Sequence, residues 1–183
     1  MNKWNQKRKV MRRYNLTARM YDERYAEEQA AKYQAALKHL DMHGSVLDVG
    51  CGTGLFFSSI AAEAETIVGV DISSKLLHHA KMRARAFRNV YLVQADADHL
   101  PFTDKQFNAI FAFTVLQNMP KPLETLSELK RNAKREAYVV VSGFKKAFSL
   151  EAFTVLLHDA GLQVVSLEDD EALKCYVGAT VRS

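Results

Sequence analysis

The chain has 183 residues, 48% of them hydrophobic and 25% charged, with a formal net charge of +4, which is enough apolar material for one domain with one sizeable core. No run of about 18 uncharged apolar residues occurs and the start of the chain is polar and basic, so the sequence argues against a membrane span or secretory signal and for a cytoplasmic protein. Its two cysteines, Cys51 and Cys175, lack metal-ligand spacing and are too few for a disulfide framework, so neither a metal site nor a bridge is expected.

Lys3, Lys7, Arg8, Lys9, Arg12 and Arg13 all precede the first acidic residue, Asp22. Residues 1–16 therefore read as a basic arm ahead of a domain over 17–183. Such an arm attracts polyanions and releases their counterions, which makes RNA a candidate partner; a solvated tail explains the charge equally well. Residues 17–40 are rich in Ala, Glu, Gln, Lys and Arg without Pro or Gly, which predicts one or two helices. Tyr14, Ala18, Tyr21 and Tyr25 recur there at helical spacing, as a face for the core or for a lid.

After Gly44 the pattern becomes short apolar runs alternating with helical segments. Residues 45–49, 66–70, 90–95, 109–113 and 137–142 predict strands, and 55–62, 73–86 and 122–133 predict helices between them. That alternation implies right-handed crossovers and a parallel, Rossmann-like sheet covered on both faces. Residues 149–160 predict one more helix, ended by Gly161; 163–167 and 173–180 then predict two strands linked by an acidic turn, an antiparallel hairpin at one sheet edge.

Gly50, Cys51, Gly52, Thr53 and Gly54 lie where the first strand turns towards its helix, a place where glycine lets a ligand approach the backbone. A dinucleotide turn would put its third glycine at position 55, which is Leu55, so the spacing disfavours NAD. Asp71 closes the second predicted strand, where a carboxylate can accept bonds from ribose hydroxyls. Asp96 follows the third, where it can meet an adenine amino group or simply cap a helix.

Four ordered stretches carry a family resemblance: 46–54 (Val-Leu-Asp-Val-Gly-Cys-Gly-Thr-Gly), 68–73 (Val-Gly-Val-Asp-Ile-Ser), 94–102 (Gln-Ala-Asp-Ala-Asp-His-Leu-Pro-Phe) and 115–122 (Val-Leu-Gln-Asn-Met-Pro-Lys-Pro). Together they resemble the successive motifs of class I S-adenosylmethionine (SAM)-dependent methyltransferases. The resemblance implies an α/β fold, a three-layer sandwich on a seven-stranded, mostly parallel sheet whose last strands form the antiparallel hairpin. It also implies SAM as cofactor, with Asp48, Gly50, Cys51, Gly52 and Gly54 around the methionine end. Asp71 would then hold the ribose, Ile72 would pack on adenine, Asp96 and Ala97 would meet the adenine edge, and the Phe113 carbonyl would accept from the SAM ammonium. Tyr21 and Tyr25 resemble an aromatic pair that folds over the cofactor, with core packing an equal explanation.

Methyl transfer from a sulfonium needs alignment more than a base, and no compelling base is present. Gln117 and Asn118 are the candidates to orient an acceptor. The aromatic of nucleobase amino-methyltransferase motifs is missing, and Cys51 and Cys175 are badly placed to be nucleophiles. Only residues 142–148 separate the fifth strand from the next helix, so the acceptor side is expected to be open. With Lys145, Lys146 and the arm, that points to RNA (tRNA), or to a partner subunit that completes the pocket. A small molecule or protein as acceptor, and a non-catalytic partner role for the fold, stay as alternatives.

Overall fold

The computed structural model describes residues 2–38, 40 and 42–182; the side chains of Arg19 and Tyr21 lie outside that description. In chain order the elements are α1 (Lys3–Thr17), α2 (Tyr21–Leu37), β1 (Ser45–Val49), α3 (Phe57–Ile60), β2 (Thr66–Asp71), α4 (Ser74–Ala84), β3 (Val90–Gln94), β4 (Phe107–Ala112), α5 (Pro122–Asn132), β5 (Ala133–Phe144), α6 (Leu150–Asp159), β6 (Leu162–Glu168) and β7 (Cys175–Arg182). Seven strands make one sheet in the order β3-β2-β1-β4-β5-β7-β6. The first five are parallel; β7 runs antiparallel between β5 and β6, which realises the hairpin at the edge.

Strands buried on both faces need side chains that suit two cores, which is why they read as near-continuous apolar runs. On one face Leu47, Val49, Ile110, Val139 and Val141 meet Leu126 and Leu129 of α5 and Phe153 and Leu157 of α6. On the other, Val46, Ile67, Ala109, Phe111 and Val140 meet Ala36 of α2, Phe57 and Ile60 of α3, and Ala80 of α4. Asp48 alternates with Leu47 and Val49 and so shares the second face, beneath α2 and α3. The chain leaves β1 for β2 on one side and pairs with β4 on the other, so strand order reverses at β1. In open α/β sheets a ligand crevice forms beyond the strand C-termini at such a switch point.

Local signals explain the helix starts. The side chains of Ser73 and Ser149 accept from Leu76 N and Ala152 N, and Pro122 opens α5 where no N–H is needed. Two expectations differ from the structure. The predicted helix 55–62 shrinks to Phe57–Ile60, because Gly52, Gly54 and the turn around them consume its start. Most of the stretch 1–16, read as an arm, belongs to α1 (Lys3–Thr17), whose cap is Asn2 accepting from Trp4 N. A 3-10 turn over Ala18–Met20 separates α1 from α2, so Tyr14, Ala18, Tyr21 and Tyr25 do not share one continuous helical face.

α1 lies against the sheet's C-terminal edge. Lys3 bonds Glu124 at 2.7 Å, Lys7 bonds Asp96 at 2.7 Å and Asp98 at 2.5 Å, Arg13 donates to Asn118 at 2.8 Å, and Asn15 accepts from Ser73 Oγ at 2.6 Å. Among the described residues no helix is long and apolar enough to cross a membrane.

Gly143 of β5 marks where α6 sits closest to the sheet: a Cβ there would lie 2.5 Å from Phe153 Cδ2. Gly143→Ala should therefore overpack the core and lower stability by about 1–3 kcal/mol, read as a lower urea midpoint with unchanged slope.

Candidate functional site

The loops that follow β1, β2 and β4 meet at the switch point and line two adjoining cavities, a larger and a smaller, both bordered by Gly50 and Phe113. Gly50 holds φ +72, and a Cβ there would fall 2.5 Å from Val115 Cγ2, so the turn admits no side chain.

Asp71, at the end of β2, organises the loops. Its carboxylate accepts from Gly52 N at 3.0 Å and from Ser73 N at 2.7 Å, bridging the glycine turn and the start of α4. Burial raises its pKa to about 6 against the opposing effect of those two N–H groups. A carboxylate offers about four lone-pair sites, so two bonds leave capacity for a ligand in the larger cavity, which Asp71 lines. Asp48, 3% exposed, lines the smaller cavity, and its Oδ2 has no hydrogen-bond partner among the described residues. Burial, with the charge of Asp71 second, pushes Asp48 up to about 8. Next to it, burial and the same two carboxylates push the Cys51 thiol up as well.

Asp71, Ile72, Asp96, Ala97 and Gly52 line the larger cavity, Asp48 and Cys51 the smaller. Gly54 stays off both: it turns the chain above Phe57, whose ring would be 2.3 Å from an added Cβ. Of the acceptor candidates, Asn118 reaches the larger cavity and donates to Thr114 O at 2.8 Å. Gln117 does not line it; its Oε1 is buried without a hydrogen-bond partner among the described residues. Residues one apart in a 3-10 turn diverge, so only one of the two can face the space. Tyr21 begins α2, and its side chain is outside the described residues; Tyr25 is 39% exposed.

The structure adds residues that the sequence motifs do not announce. Lys7, Val10 and Tyr14 on one face of α1 form part of the wall of the larger cavity. Lys7 Nζ lies 2.7 Å from both oxygens of Asp96, the carboxylate expected at an adenine edge. Asp22 accepts from Thr53 Oγ1 at 2.5 Å and from Arg83 Nη2 at 2.8 Å, tying the start of α2 to the glycine turn. No signal in the sequence pairs these residues, because each contact joins distant segments.

A family model described as a methyltransferase domain matches residues 47–141, just over half of the chain, from the glycine turn to the end of the parallel sheet. The chain belongs to the class I SAM-dependent methyltransferases. A malonyl-acyl-carrier-protein O-methyltransferase of a Marinomonas strain is 31% identical over 74% of this chain and 52% of its own length. A demethylmenaquinone methyltransferase of Staphylococcus saprophyticus is 35% identical over 51% of this chain and 42% of its own. This methyltransferase chain thus spans about half the length of those relatives. Its fold is similar to that of a SAM-dependent methyltransferase from Aquifex aeolicus, with a TM-score of 0.80 at 21% identity over 92% of this chain and 98% of that one.

The protonated Asp48 sets a pH dependence. The folded methyltransferase holds this proton up to about pH 8, whereas the unfolded chain releases it near pH 4. Stability is therefore lost as pH rises between those values, by at most about 1.4 kcal/mol per unit. Asp71 titrates at about 6 and contributes little above about pH 7, so most of the decline between 6 and 8 belongs to Asp48. In urea melts without SAM, the wild type should weaken from pH 6 to pH 8, and Asp48→Asn should largely remove that decline. An equal decline in the variant would show that Asp48 is ionised throughout.

Proposed function

We propose that the enzyme transfers the SAM methyl group to a small, largely apolar acceptor held under α1. Three groups of site residues support the binding mode. Ile72, Asp96 and Ala97 suit the adenine, and Asp71 the ribose. Asp48, Gly50 and Cys51, with the Phe113 carbonyl, suit the methionine end. The buried Asp48 Oδ2 has no hydrogen-bond partner among the described residues, and on losing its proton the carboxyl becomes an acceptor that fits the ammonium a methionine moiety carries. SAM supplies a sulfonium methyl. The protein's part is to line up the acceptor with it and to exclude water.

The observation that carries the acceptor reading is the wall that α1 adds. Val10 and Tyr14 line the larger cavity together with Val115 and Met119, which makes much of its wall apolar. Lys3, Lys7 and Arg13, which suggested RNA, are turned into contacts with Glu124, Asp96 with Asp98, and Asn118. A charge already bonded within the chain releases few counterions on meeting a polyanion. Relatives named for a malonyl group and for demethylmenaquinone support an acceptor other than nucleic acid.

Asp71→Ala should weaken SAM binding about 30-fold or more, equivalent to roughly 2 kcal/mol from lost charged hydrogen bonds and loop order, measured by calorimetry. Methyl-labelled SAM offered with separated small-metabolite, protein and tRNA fractions should label a small metabolite. Label appearing in tRNA alone would overturn the acceptor reading and restore the RNA alternative.

A further inference from the structure

Lys32 of α2 is the most deeply buried cation among the described residues, 2% exposed, and it sits beside the end of β4. Its ammonium donates to Thr114 Oγ1 at 3.0 Å and lies 3.2 Å from Glu28 Oε1. Gln29 Nε2 donates to the same threonine oxygen at 3.4 Å. A hydroxyl has two acceptor lone pairs and one O–H. The Lys32 ammonium can only donate, so it takes one pair and leaves the O–H to be given to another group; Thr114 lines the larger cavity.

The rest of Thr114 is held as firmly. Its N–H donates to Ser142 Oγ at 2.8 Å and its carbonyl accepts from Asn118 Nδ2 at 2.8 Å. Its φ is +62, a conformation that strains a β-branched residue and persists only where the surroundings impose it. The fold thus keeps one O–H donor in a strained, fully bonded setting next to the site.

The local charge is also unbalanced. Glu28 is shared between Lys32 and Lys174, the latter at 3.0 Å, so one carboxylate faces two ammonium groups. The Lys174 side chain is 69% exposed and is screened by water, whereas Lys32 is not. Among the neighbours, Cys175 is held neutral by burial and Lys145 is paired with Asp169 at 2.6 Å. A buried cation whose countercharge is divided favours an anion nearby.

We propose that Thr114, with Lys32 behind it, anchors an ionised oxygen of the methyl acceptor, so that the acceptor is a small acid bearing a carboxylate or an equivalent anionic oxygen. This rests on the small-acceptor reading above. An anionic oxygen that accepts from Thr114 keeps lone pairs free. One of them attacks the sulfonium methyl carbon, forming the O–C bond as the C–S bond breaks with its electron pair left on sulfur. No proton has to be removed, in keeping with a cavity whose described lining contains no histidine.

The test uses the full chain loaded with S-adenosylhomocysteine, the demethylated donor, and titrates benzoate and malonate against their neutral isosteres benzamide and malonamide by calorimetry. The wild type should bind the anions about tenfold or more tighter than the amides. Thr114→Val, which keeps the shape, and Lys32→Met should bring that ratio to within about twofold, while Thr114→Ser should retain it. A merely structural role would weaken anion and amide together and leave the ratio alone. Absence of anion binding, equal binding of both probe types by the wild type, or a ratio preserved in Thr114→Val and Lys32→Met would overturn the proposal. SAM binding by the same samples separates this result from the reading beneath it: a wild type that binds SAM and labels only tRNA sinks the small-acceptor reading itself.

Discussion

The carboxylate of Asp71 is the point on which the site turns. Strand C-termini bring the loops after β1 and β2 close together, but two flexible loops acquire one geometry only when something binds both. Asp71 does so with one oxygen on Gly52 N and the other on Ser73 N. The same burial that strengthens those bonds makes ionisation costly, and the cost falls unequally on the two carboxylates of the crevice. Asp71, with N–H partners, titrates at about 6, and Asp48, with an unpartnered oxygen, at about 8. Near neutral pH the crevice therefore holds one anion and one acid ready to lose its proton. Both respond favourably to a positively charged ligand such as SAM.

Helix α1 applies the opposite charge to the same crevice. An ammonium as buried as that of Lys7, 6% exposed, is tolerated only when paired and hydrogen-bonded, and Asp96 and Asp98 do this from both sides. Thr125 Oγ1 in turn donates to Asp98 at 2.5 Å, which joins α5 to the arrangement. Cation, carboxylates and hydroxyl thus fasten the first helix of the chain to the loop after β3. The cavity wall is closed by electrostatics at one end of α1 and by Val10 and Tyr14 further along.

Polarity is then divided across the site. Carboxylates dominate where the cationic donor fits, and on the proposed reading the Lys32 ammonium, acting through Thr114, lies on the acceptor side. A sulfonium and an anion brought together from opposite sides neutralise one another as the methyl moves. Groups that position the two need no proton chemistry of their own, which accounts for a site built from glycines, carboxylates, hydroxyls and apolar walls.

Much of this was legible in residues 45–142, because the signals there are local. Apolar runs of strand length, a glycine turn after β1 and an acid at the end of β2 each follow from backbone rules that act within a few residues, and they agree with the sheet that the family resemblance implies. Leu55 alone set aside a dinucleotide turn. The covering of the site was not legible. Six early cations describe a basic arm equally well whether they face water or a carboxylate, and Lys7 meets Asp96 across 89 residues of chain, Lys32 meets Thr114 across 82. Nor could spacing tell that Asn118 would face the cavity and Gln117 would not, since that depends on the 3-10 turn between β4 and α5. The sequence by itself determined the sheet and the loops that meet at Asp71, because short-range chemistry specifies them, while its likeness to a known family supplied the donor. Only the tertiary structure decided what lies over them, because the burial of a charge is settled by the partner it finds far along the chain.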